Sequence, residues 1–326
     1  MNTFRNILVV PRTIDRNDPA LSQAAAIAHQ NGASITVLWP QEDELDLETS
    51  REFLPELTQE IESHLHRLEA ELATEGLNAK AQLRFGKTFL AIIHHVYEHQ
   101  HDLVIKTARG MDVGRHLIFG STALHLLRKC PCPVWIVDPD RPAVGGIMAA
   151  IDPVVKGEAE QRLNEEILRT AADLARFMGE PLHVLNAWSP ASERLSRNLS
   201  WMRLPVPQDP AVIEAVEQRH REALERITAP FVERAGQMHL HLERGMPEVV
   251  IPAQADRLEV QTLVMATMAR SGIPGLLIGN TAEVVLNDIS RSVFVIKPEG
   301  FVSPIAPPTG GAVEAGGSAR DAAKTE

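Results

Sequence analysis

The segment His101-Asp-Leu-Val-Ile-Lys106 is followed by Phe119-Gly-Ser-Thr122 and then by Pro133-Val-Trp-Ile-Val137. The same series returns later as Gln261-Thr-Leu-Val-Met-Ala266, Ile278-Gly-Asn-Thr281 and Ser292-Val-Phe-Val-Ile296. Because an internal repeat of this kind is typical of duplicated folding units, the chain is predicted to contain two copies of one domain. Each candidate site must therefore be sought in both copies.

Short apolar runs rich in β-branched residues alternate with longer segments of helical periodicity in both halves. The predicted strands are Asn6–Val10, Ser34–Trp39, Ala79–Arg84, Asp102–Lys106 and Pro133–Val137, then Gly146–Ile151, Pro181–Ala187, His239–Glu243, Thr262–Ala266 and Ser292–Ile296. This alternation predicts the α/β class, with two tandem, doubly wound, five-stranded parallel sheets that helices cover on both faces.

The domain boundaries follow from length and composition. At 326 residues the chain is long enough for two domains, and the Pro- and Gly-containing segment Asp138–Gly145 is the predicted linker. We therefore predict a first domain over residues 1–141 and a second over residues 142–302. Residues 303–326 contain few large apolar side chains, so this tail is predicted to be disordered.

Charge and composition argue against several function classes. The net charge is −11 and the basic residues form no stripe, so nucleic-acid binding is not expected. No apolar run approaches the ~20 residues of a membrane span. The two cysteines, Cys130 and Cys132, form neither a disulfide framework nor a CxxC pair, and we interpret them as ordinary, partly buried thiols. A reducing, cytoplasmic setting fits these features.

The sequence resembles the universal stress protein family, in particular its tandem members of the E type. The segments that carry the resemblance are His101–Lys106, His125–Val137, Gly245–Pro252, Ile278–Glu283 and Val295–Pro298. It covers residues 4 to about 302 and implies the adenine nucleotide α-hydrolase-like fold. It also implies that the last strands of the two domains pair with each other, and it leaves a further homodimer open.

The resemblance implies a nucleotide site in the second half. Nucleotide-binding members of the family carry an Asp at the end of the first strand and a loop of the pattern G-x2-G-x9-G-[ST]. The corresponding positions here are Asp152, Ala266, Ala269, Gly279, Asn280 and Thr281. Since Ala266 and Ala269 replace glycines, their methyl groups are expected to narrow the phosphate-binding loop. We therefore predict a weakened site for ATP or a related nucleotide.

The first half departs further from the pattern. Its candidate residues are Gly110, Gly120, Ser121 and Thr122, but the loop is one residue too long and the first strand ends at Val10-Pro-Arg12. We interpret this half as a degenerate copy kept for its fold and its pairing surface. The alternative is a different anion site, because Arg12 lies in sequence where the family has a carboxylate, and Lys106 and Arg109 follow the fourth strand.

Histidines offer a metal-binding alternative. His95 and His99 have the i, i+4 spacing of a zinc site, with His94 and His101 nearby, and His239 and His241 share one face of a strand. No further ligand completes a recognisable set, so packed or exposed histidines are preferred and no metal is predicted. The sequence also contains no nucleophile–base or Walker-type signature, so we do not expect an enzyme; weak nucleotide hydrolysis is left open.

The sequence thus predicts a cytoplasmic stress-response protein that binds a small anionic ligand, an adenine nucleotide in the second half. One alternative is a regulatory or scaffolding protein that binds no nucleotide. Another is binding of a larger, partly apolar ligand between the domains, where the connection Trp188–Pro210 would act as a lid. The apolar residues of that connection are Trp188, Leu199, Trp201, Met202 and Leu204.

Overall fold

The computed structural model describes residues 4–42, 47–108, 119–140, 145–155, 157–190, 209–267 and 279–307. The strands are β1 (Asn6–Val10), β2 (Ser34–Gln41), β3 (Ala79–Phe85), β4 (Leu103–Thr107), β5 (Val134–Val137), β6 (Ile147–Ala150), β7 (Leu182–Trp188), β8 (Met238–Arg244), β9 (Thr262–Ala266) and β10 (Ser292–Ile296). The helices are α1 (Pro19–Asn31), α2 (Leu47–Thr74), α3 (Thr88–His99), α4 (Ser121–Lys129), α5 (Glu158–Met178), α6 (Pro210–Thr228), α7 (Val232–Ala235), α8 (Pro247–Arg257) and α9 (Asn280–Asp288).

The described strands form one sheet in the order β3-β2-β1-β4-β5-β10-β9-β6-β7-β8. The strands of each half are parallel to one another, whereas β5 and β10 pair antiparallel. The predicted α/β fold with five strands in each half is confirmed, and the two predicted sheets are halves of one continuous sheet. Each predicted strand is present, with bounds that differ by at most two residues.

The central strands are buried on both faces because helices cover the sheet on each side. Ile7 and Val9 of β1 belong to one apolar cluster, whereas Leu8 and Val10, which point the opposite way, belong to the other. Both clusters contain residues from both halves of the chain. The duplicated units therefore share their hydrophobic core across the junction.

The junction itself is an apolar strand pair. Trp135 of β5 lies opposite Phe294 of β10, with ring centroids 5.8 Å apart, and Phe4 approaches the other side of Phe294 at 5.9 Å. Trp135 and Phe294 are among the largest fully buried side chains of the described chain. Pairing through the last strands, which the family resemblance implies, is thus observed within this single chain.

The structure describes only parts of two segments singled out in the sequence, the C-terminal tail and the proposed lid. The structure describes residues 303–307 of the predicted tail, in which Ser303 is buried and Ile305 packs against an apolar cluster. Trp188 is buried at the end of β7, but residues 191–208 of the proposed lid lie outside the described residues. The domain limits at residues 141 and 302 stay predictions. No helix within the described ranges is long and apolar enough to cross a membrane.

The junction yields a stability prediction. Replacing Phe294 with Ala removes a buried ring that contacts two other aromatic rings, so we expect the free energy of unfolding to fall by about 3–5 kcal/mol. Urea unfolding monitored by circular dichroism measures the change. Val302→Ala, at a side chain that is 83% exposed, is the control and should cost less than about 0.5 kcal/mol. Equal effects of the two substitutions would contradict the packing described for β5 and β10.

Candidate functional site

A cavity of about 340 Å³ opens in the first half, at the carboxyl ends of β1, β2 and β4. Strands β1 and β4 are neighbours in the sheet although they are not consecutive in the chain, so the strand order changes direction between them. Loops that leave such a point diverge and leave a crevice, which is where ligands bind in open α/β sheets. The lining residues are Val10, Pro11, Arg12, Trp39, Pro40, Gln41, Glu42, Thr88, Lys106, Gly120, Ser121, Thr122 and Ala123.

Two cations and one helix end make this cavity favourable for an anion. Arg12 is exposed, whereas Lys106 is only 8% exposed and its Nζ donates a hydrogen bond to the carbonyl oxygen of Thr107 at 2.9 Å. Helix α4 begins at the cavity, and its N-cap residue Gly120 supplies no side-chain cap. The first N–H groups of a helix have no partner within the helix and carry a partial positive charge. Arg12, Lys106 and the start of α4 therefore contribute positive charge to the lining of this cavity.

The one carboxylate among the lining residues belongs to Glu42. Its Oε1 accepts hydrogen bonds from the backbone N–H of Thr88 at 3.2 Å and from the Thr88 hydroxyl at 2.7 Å. Because Thr88 is the first residue of α3, Glu42 acts as a cap on that helix.

A second carboxylate, that of buried Asp18, organises the loop between β1 and α1. Asp18 Oδ1 accepts from the backbone N–H of Ala20 at 3.0 Å and from the hydroxyl of Thr107 at 2.5 Å. Its Oδ2 accepts from the backbone N–H groups of Arg12 at 2.8 Å and Thr13 at 3.3 Å. The carboxylate therefore accepts four hydrogen bonds. These bonds connect the loop that carries Arg12 to Thr107 at the end of β4.

Asp18 refines the sequence interpretation of the first half. Arg12 does follow β1 in place of the family's carboxylate, but Asp18 brings a carboxylate back to the same loop from the N-cap of α1. A sequence signal was available, because Asp18 precedes Pro19, and an Asp followed by Pro is typical of a helix start. Its role is structural, since protein donors occupy both of its oxygens.

The structure brings part of the predicted first-half site together. Gly120, Ser121 and Thr122 line the cavity beside Lys106. Gly110 and Arg109 lie outside the described residues. The cavity also includes Trp39, which sequence analysis assigned to β2 without a role.

The second-half candidates lie at the corresponding end of β6 and β9. Asp152 is exposed, and its Oδ1 accepts from the backbone N–H of Val154 at 3.1 Å. Ala266 is the last residue of β9, is half-buried and packs against the core, whereas Ala269 lies outside the described residues. The N–H of Gly279 donates to the carbonyl oxygen of Thr267 at 2.8 Å, which fixes the start of α9 beside the end of β9.

Asn280 and Thr281, the first residues of α9, are both exposed, and no side chain caps this helix at its N-cap residue Gly279. The start of α9 therefore resembles the start of α4. Within the described ranges these residues follow neighbouring strands, as the sequence predicts.

The two halves differ in one buried hydroxyl. Thr107 and Thr267 are equivalent residues of the repeat, at the carboxyl end of the fourth strand of each half. The Thr107 hydroxyl donates a hydrogen bond to the Asp18 carboxylate. In the second half Gly157 is the N-cap of α5, where the first half has Asp18. The buried Thr267 Oγ1 has no hydrogen-bond partner in the described structure. The second half therefore presents an unpaired polar atom that the first half satisfies internally.

A hydrogen-bond network supports the carboxyl ends of β6 and β7. Asn186 Nδ2 donates to the carbonyl oxygen of Ile151 at 3.0 Å, and its Oδ1 lies 2.9 Å from His220 Nδ1 of α6. The His220 ring stacks on Trp188 with centroids 5.8 Å apart. These contacts fix α6 against β7 next to the second-half candidates.

Of the histidines singled out in the sequence, His95 and His101 form a buried pair, whereas His99 and His239 are exposed. His95 Nδ1 and His101 Nε2 are 2.9 Å apart, and the His99 ring lies tilted against His95 with centroids 4.2 Å apart. A second, half-buried pair joins His183 Nδ1 and His241 Nε2, also at 2.9 Å. In the described part of the chain, no group of three or more His, Cys, Asp or Glu residues is arranged to hold a metal ion. Each pair can form one hydrogen bond when both rings are neutral.

Burial controls the protonation of the His95–His101 pair. It lowers the pKa of His95 to about 3, with further lowering by His101, His99 and Arg84. Burial likewise lowers the pKa of His101 to about 4. Both rings are therefore neutral in the folded protein at neutral pH.

The Asp18 contacts predict a large stability effect. Asp18→Ala removes a helix cap and leaves the buried Thr107 hydroxyl without its acceptor, so we expect a loss of about 3 kcal/mol in the free energy of unfolding. The matched control is Asp209→Ala, because Asp209 also precedes a Pro at a helix start but is exposed and caps only Ala211. That control should cost about 1 kcal/mol. Chemical denaturation measures the free energy of unfolding of both variants. An equal loss in the two would refute the additional stabilisation that we assign to the buried contacts of Asp18.

The histidine pair predicts sensitivity to acid. Because the pKa values in the folded state lie below the ordinary value of 6.5, the unfolded chain takes up protons first as the pH falls. The stability that the neutral pair provides is present above pH 6.5 and is lost as the pH falls toward about 4. His95→Leu removes one of these groups, so its free energy of unfolding should depend less on pH across this window. His66→Gln, at an exposed position, should keep the wild-type profile; parallel profiles for wild type and His95→Leu would contradict the assignment.

Comparisons with known proteins agree with this architecture. The model of the universal stress protein family matches residues 3–138 and again residues 147–297. Universal stress protein E of Escherichia coli K12 is 29% identical over 317 residues, which cover 94% of this chain and 98% of that protein. The universal stress protein E homologue of Haemophilus influenzae is 27% identical over 309 residues, covering 90% of this chain and 98% of that protein.

Solved structures show the same arrangement. A protein described as functionally unknown from Pseudomonas aeruginosa PAO1 superposes with a TM-score of 0.67 at 29% identity, over 91% of this chain and 94% of that chain. A universal stress protein from Archaeoglobus fulgidus, at 17% identity and a TM-score of 0.54, shares the fold over 90% of this chain and 99% of its own. Because the family model matches both halves, the chain belongs to the universal stress protein family as a tandem protein of the E type.

Proposed function

We propose that this protein binds a small anionic ligand of the adenine nucleotide class and holds it without transforming it, as part of a cytoplasmic stress response. The observation that carries the proposal is the first-half cavity, in which Arg12, Lys106 and the uncapped start of α4 converge. Helix starts beside cations are favourable sites for phosphate groups. The alternative anion site considered from the sequence is therefore the site we now prefer.

The size and walls of the cavity suit a nucleotide. Its volume of about 340 Å³ lies at the lower end of the range of small-molecule sites. Trp39 and Pro40 provide apolar wall area for a flat base, whereas Ser121 and Thr122 add hydroxyl groups beside the α4 start. A ligand that combines an aromatic ring with phosphate would use both parts of this lining.

The second half is the second candidate site. Asp152, the uncapped start of α9 and the unpaired Thr267 hydroxyl lie after the neighbouring strands β6 and β9. The exposed Asp152 carboxylate lies where the nucleotide-binding members of the family carry an Asp, and it could accept a hydrogen bond from a ligand hydroxyl. Ala266 counts against this candidate because it replaces a glycine of the family pattern.

The groups at the cavity support a holding rather than a catalytic role. A hydrolase needs an activated nucleophile or a positioned base. The described lining residues include no histidine that could act as a base for the Ser121 or Thr122 hydroxyl. The Glu42 carboxylate accepts hydrogen bonds from Thr88. Such a site can report or buffer a ligand, as a regulatory protein requires.

Calorimetric titration of the full chain with ATP, AMP and inorganic phosphate tests the proposal. Lys106→Met keeps the length of the buried side chain but removes its charge, so we expect ATP affinity to fall about tenfold or more. Arg12→Ala should weaken binding less, because Arg12 is exposed. Lys80→Met, at an exposed position on β3, is the control and should bind like the wild type.

The same titration separates the two candidate sites. If Asp152→Ala loses ATP binding and Lys106→Met binds ATP like the wild type, the binding site lies in the second half. Absence of heat with all three ligands would refute nucleotide binding and favour the scaffolding alternative. Chromatography of the ATP after prolonged incubation with the protein checks that it is recovered intact; turnover that depends on Lys106 or Asp152 would refute the holding role.

A further inference from the structure

The two cysteines of the chain meet at the end of α4 that lies away from the cavity. Cys130 is the C-cap residue of α4, and Cys132 lies two residues before β5. Their sulfur atoms are 3.6 Å apart, and both side chains are buried. We propose that Cys130 and Cys132 form a reversible thiol–disulfide switch that hydroperoxides oxidise.

The geometry needs only a small movement. A disulfide has a sulfur–sulfur distance of about 2.05 Å, so the two sulfurs must approach by about 1.5 Å. Only Pro131 separates the cysteines, and this short segment belongs to neither α4 nor β5. The required change can therefore be confined to the connection between α4 and β5.

Lys297 supplies positive charge at the same place from the other half of the chain. It follows β10, is buried, and its Nζ donates a hydrogen bond to the carbonyl oxygen of Leu127 in α4. Burial lowers the pKa of Lys297 to about 8, so the amine remains largely protonated near neutral pH. A buried cation beside a thiol favours the thiolate, which is the reactive form.

The two thiols are not equivalent. Burial raises the pKa of the Cys130 thiol, but its hydrogen bonds with Cys132 and the charge of Lys297 outweigh burial, and this pKa lies below its ordinary value. The hydrogen bond to Cys130 and burial raise the pKa of the Cys132 thiol. Lys297 Nζ is also held on the carbonyl oxygen of Leu127, three residues before Cys130, and this position likewise favours Cys130 as the attacking residue and Cys132 as the resolving residue.

The reaction proceeds in two steps. The Cys130 thiolate attacks the hydroperoxide, so that a sulfur–oxygen bond forms, the oxygen–oxygen bond breaks, and the departing alkoxide or hydroxide takes a proton from water. The Cys132 sulfur then attacks the sulfenic acid, a sulfur–sulfur bond forms, and hydroxide leaves with the Cys132 proton as water. Two electrons pass from the two thiols to the hydroperoxide, and a dithiol reductant reverses the change.

Mass spectrometry of the full chain tests the switch. The reduced protein is treated with hydrogen peroxide, quenched with catalase, denatured, and alkylated with N-ethylmaleimide. We expect the oxidised protein to lose two hydrogen atoms and to accept no label, and dithiothreitol to restore two labels. Because the chain contains only two cysteines, every label reports on this pair. Two labels after peroxide treatment, or overoxidation without a disulfide, would overturn the proposal.

Single variants test the order of attack. Cys132→Ser should stop at a sulfenic acid on Cys130, which dimedone traps, and Cys130→Ser should react at least about tenfold more slowly because the remaining thiol is less ionised. Equal rates in the two variants would overturn the assigned order.

Replacement of Lys297 tests the role of its charge. Lys297→Met should slow disulfide formation, and Lys297→Arg, which keeps the charge, should restore much of the rate. Circular dichroism identifies which variants are folded before rates are compared. An unchanged rate in folded Lys297→Met would overturn the role of Lys297, whereas the wild-type measurement decides on the disulfide itself.

Discussion

The pairing of β5 with β10 is the contact on which the rest of the structure depends. Each of these strands is almost entirely apolar and would be an exposed edge in an isolated half. An apolar edge with unpaired backbone groups invites association with other chains. In this protein the two edges satisfy each other, and Trp135 and Phe294 fill the core beneath them. The same pairing brings α4 and α9 together, where Arg128 and Glu283 form a salt bridge and Lys297 reaches Leu127.

Duplication has allowed the two halves to diverge at equivalent positions. The first half has Asp18 at the start of its first helix and cations at the cavity, whereas the second has Gly157 at that helix start and the carboxylate of Asp152 at the end of its first strand. The difference also appears in the matched threonines, since Thr107 has a partner and Thr267 has none in the described structure. Each half therefore offers an anionic ligand a different set of groups on the same backbone plan.

The fold could be predicted from the sequence because it depends on local patterns. The first three residues of β4, Leu103, Val104 and Ile105, form a continuous apolar run, as a strand buried on both faces requires. The sequence also placed Gly120, Ser121 and Thr122 in the loop that follows the fourth strand, because the family pattern lies there. The contact of Asp18 with Thr107 joins residues 89 positions apart, and the bond of Glu42 with Thr88 depends on how α3 packs beside β2. Such contacts follow from the assembled sheet and have no periodic signature.

The antiparallel junction also determines where the two halves present the carboxyl ends of their strands. Within each half all strands run in one direction, and the direction reverses between β5 and β10. The carboxyl end of the first-half strands consequently points to the opposite rim of the ten-stranded sheet from that of the second half. A compact ligand bound at one rim would be out of reach of the other, so under the proposed function the two rims would be occupied independently.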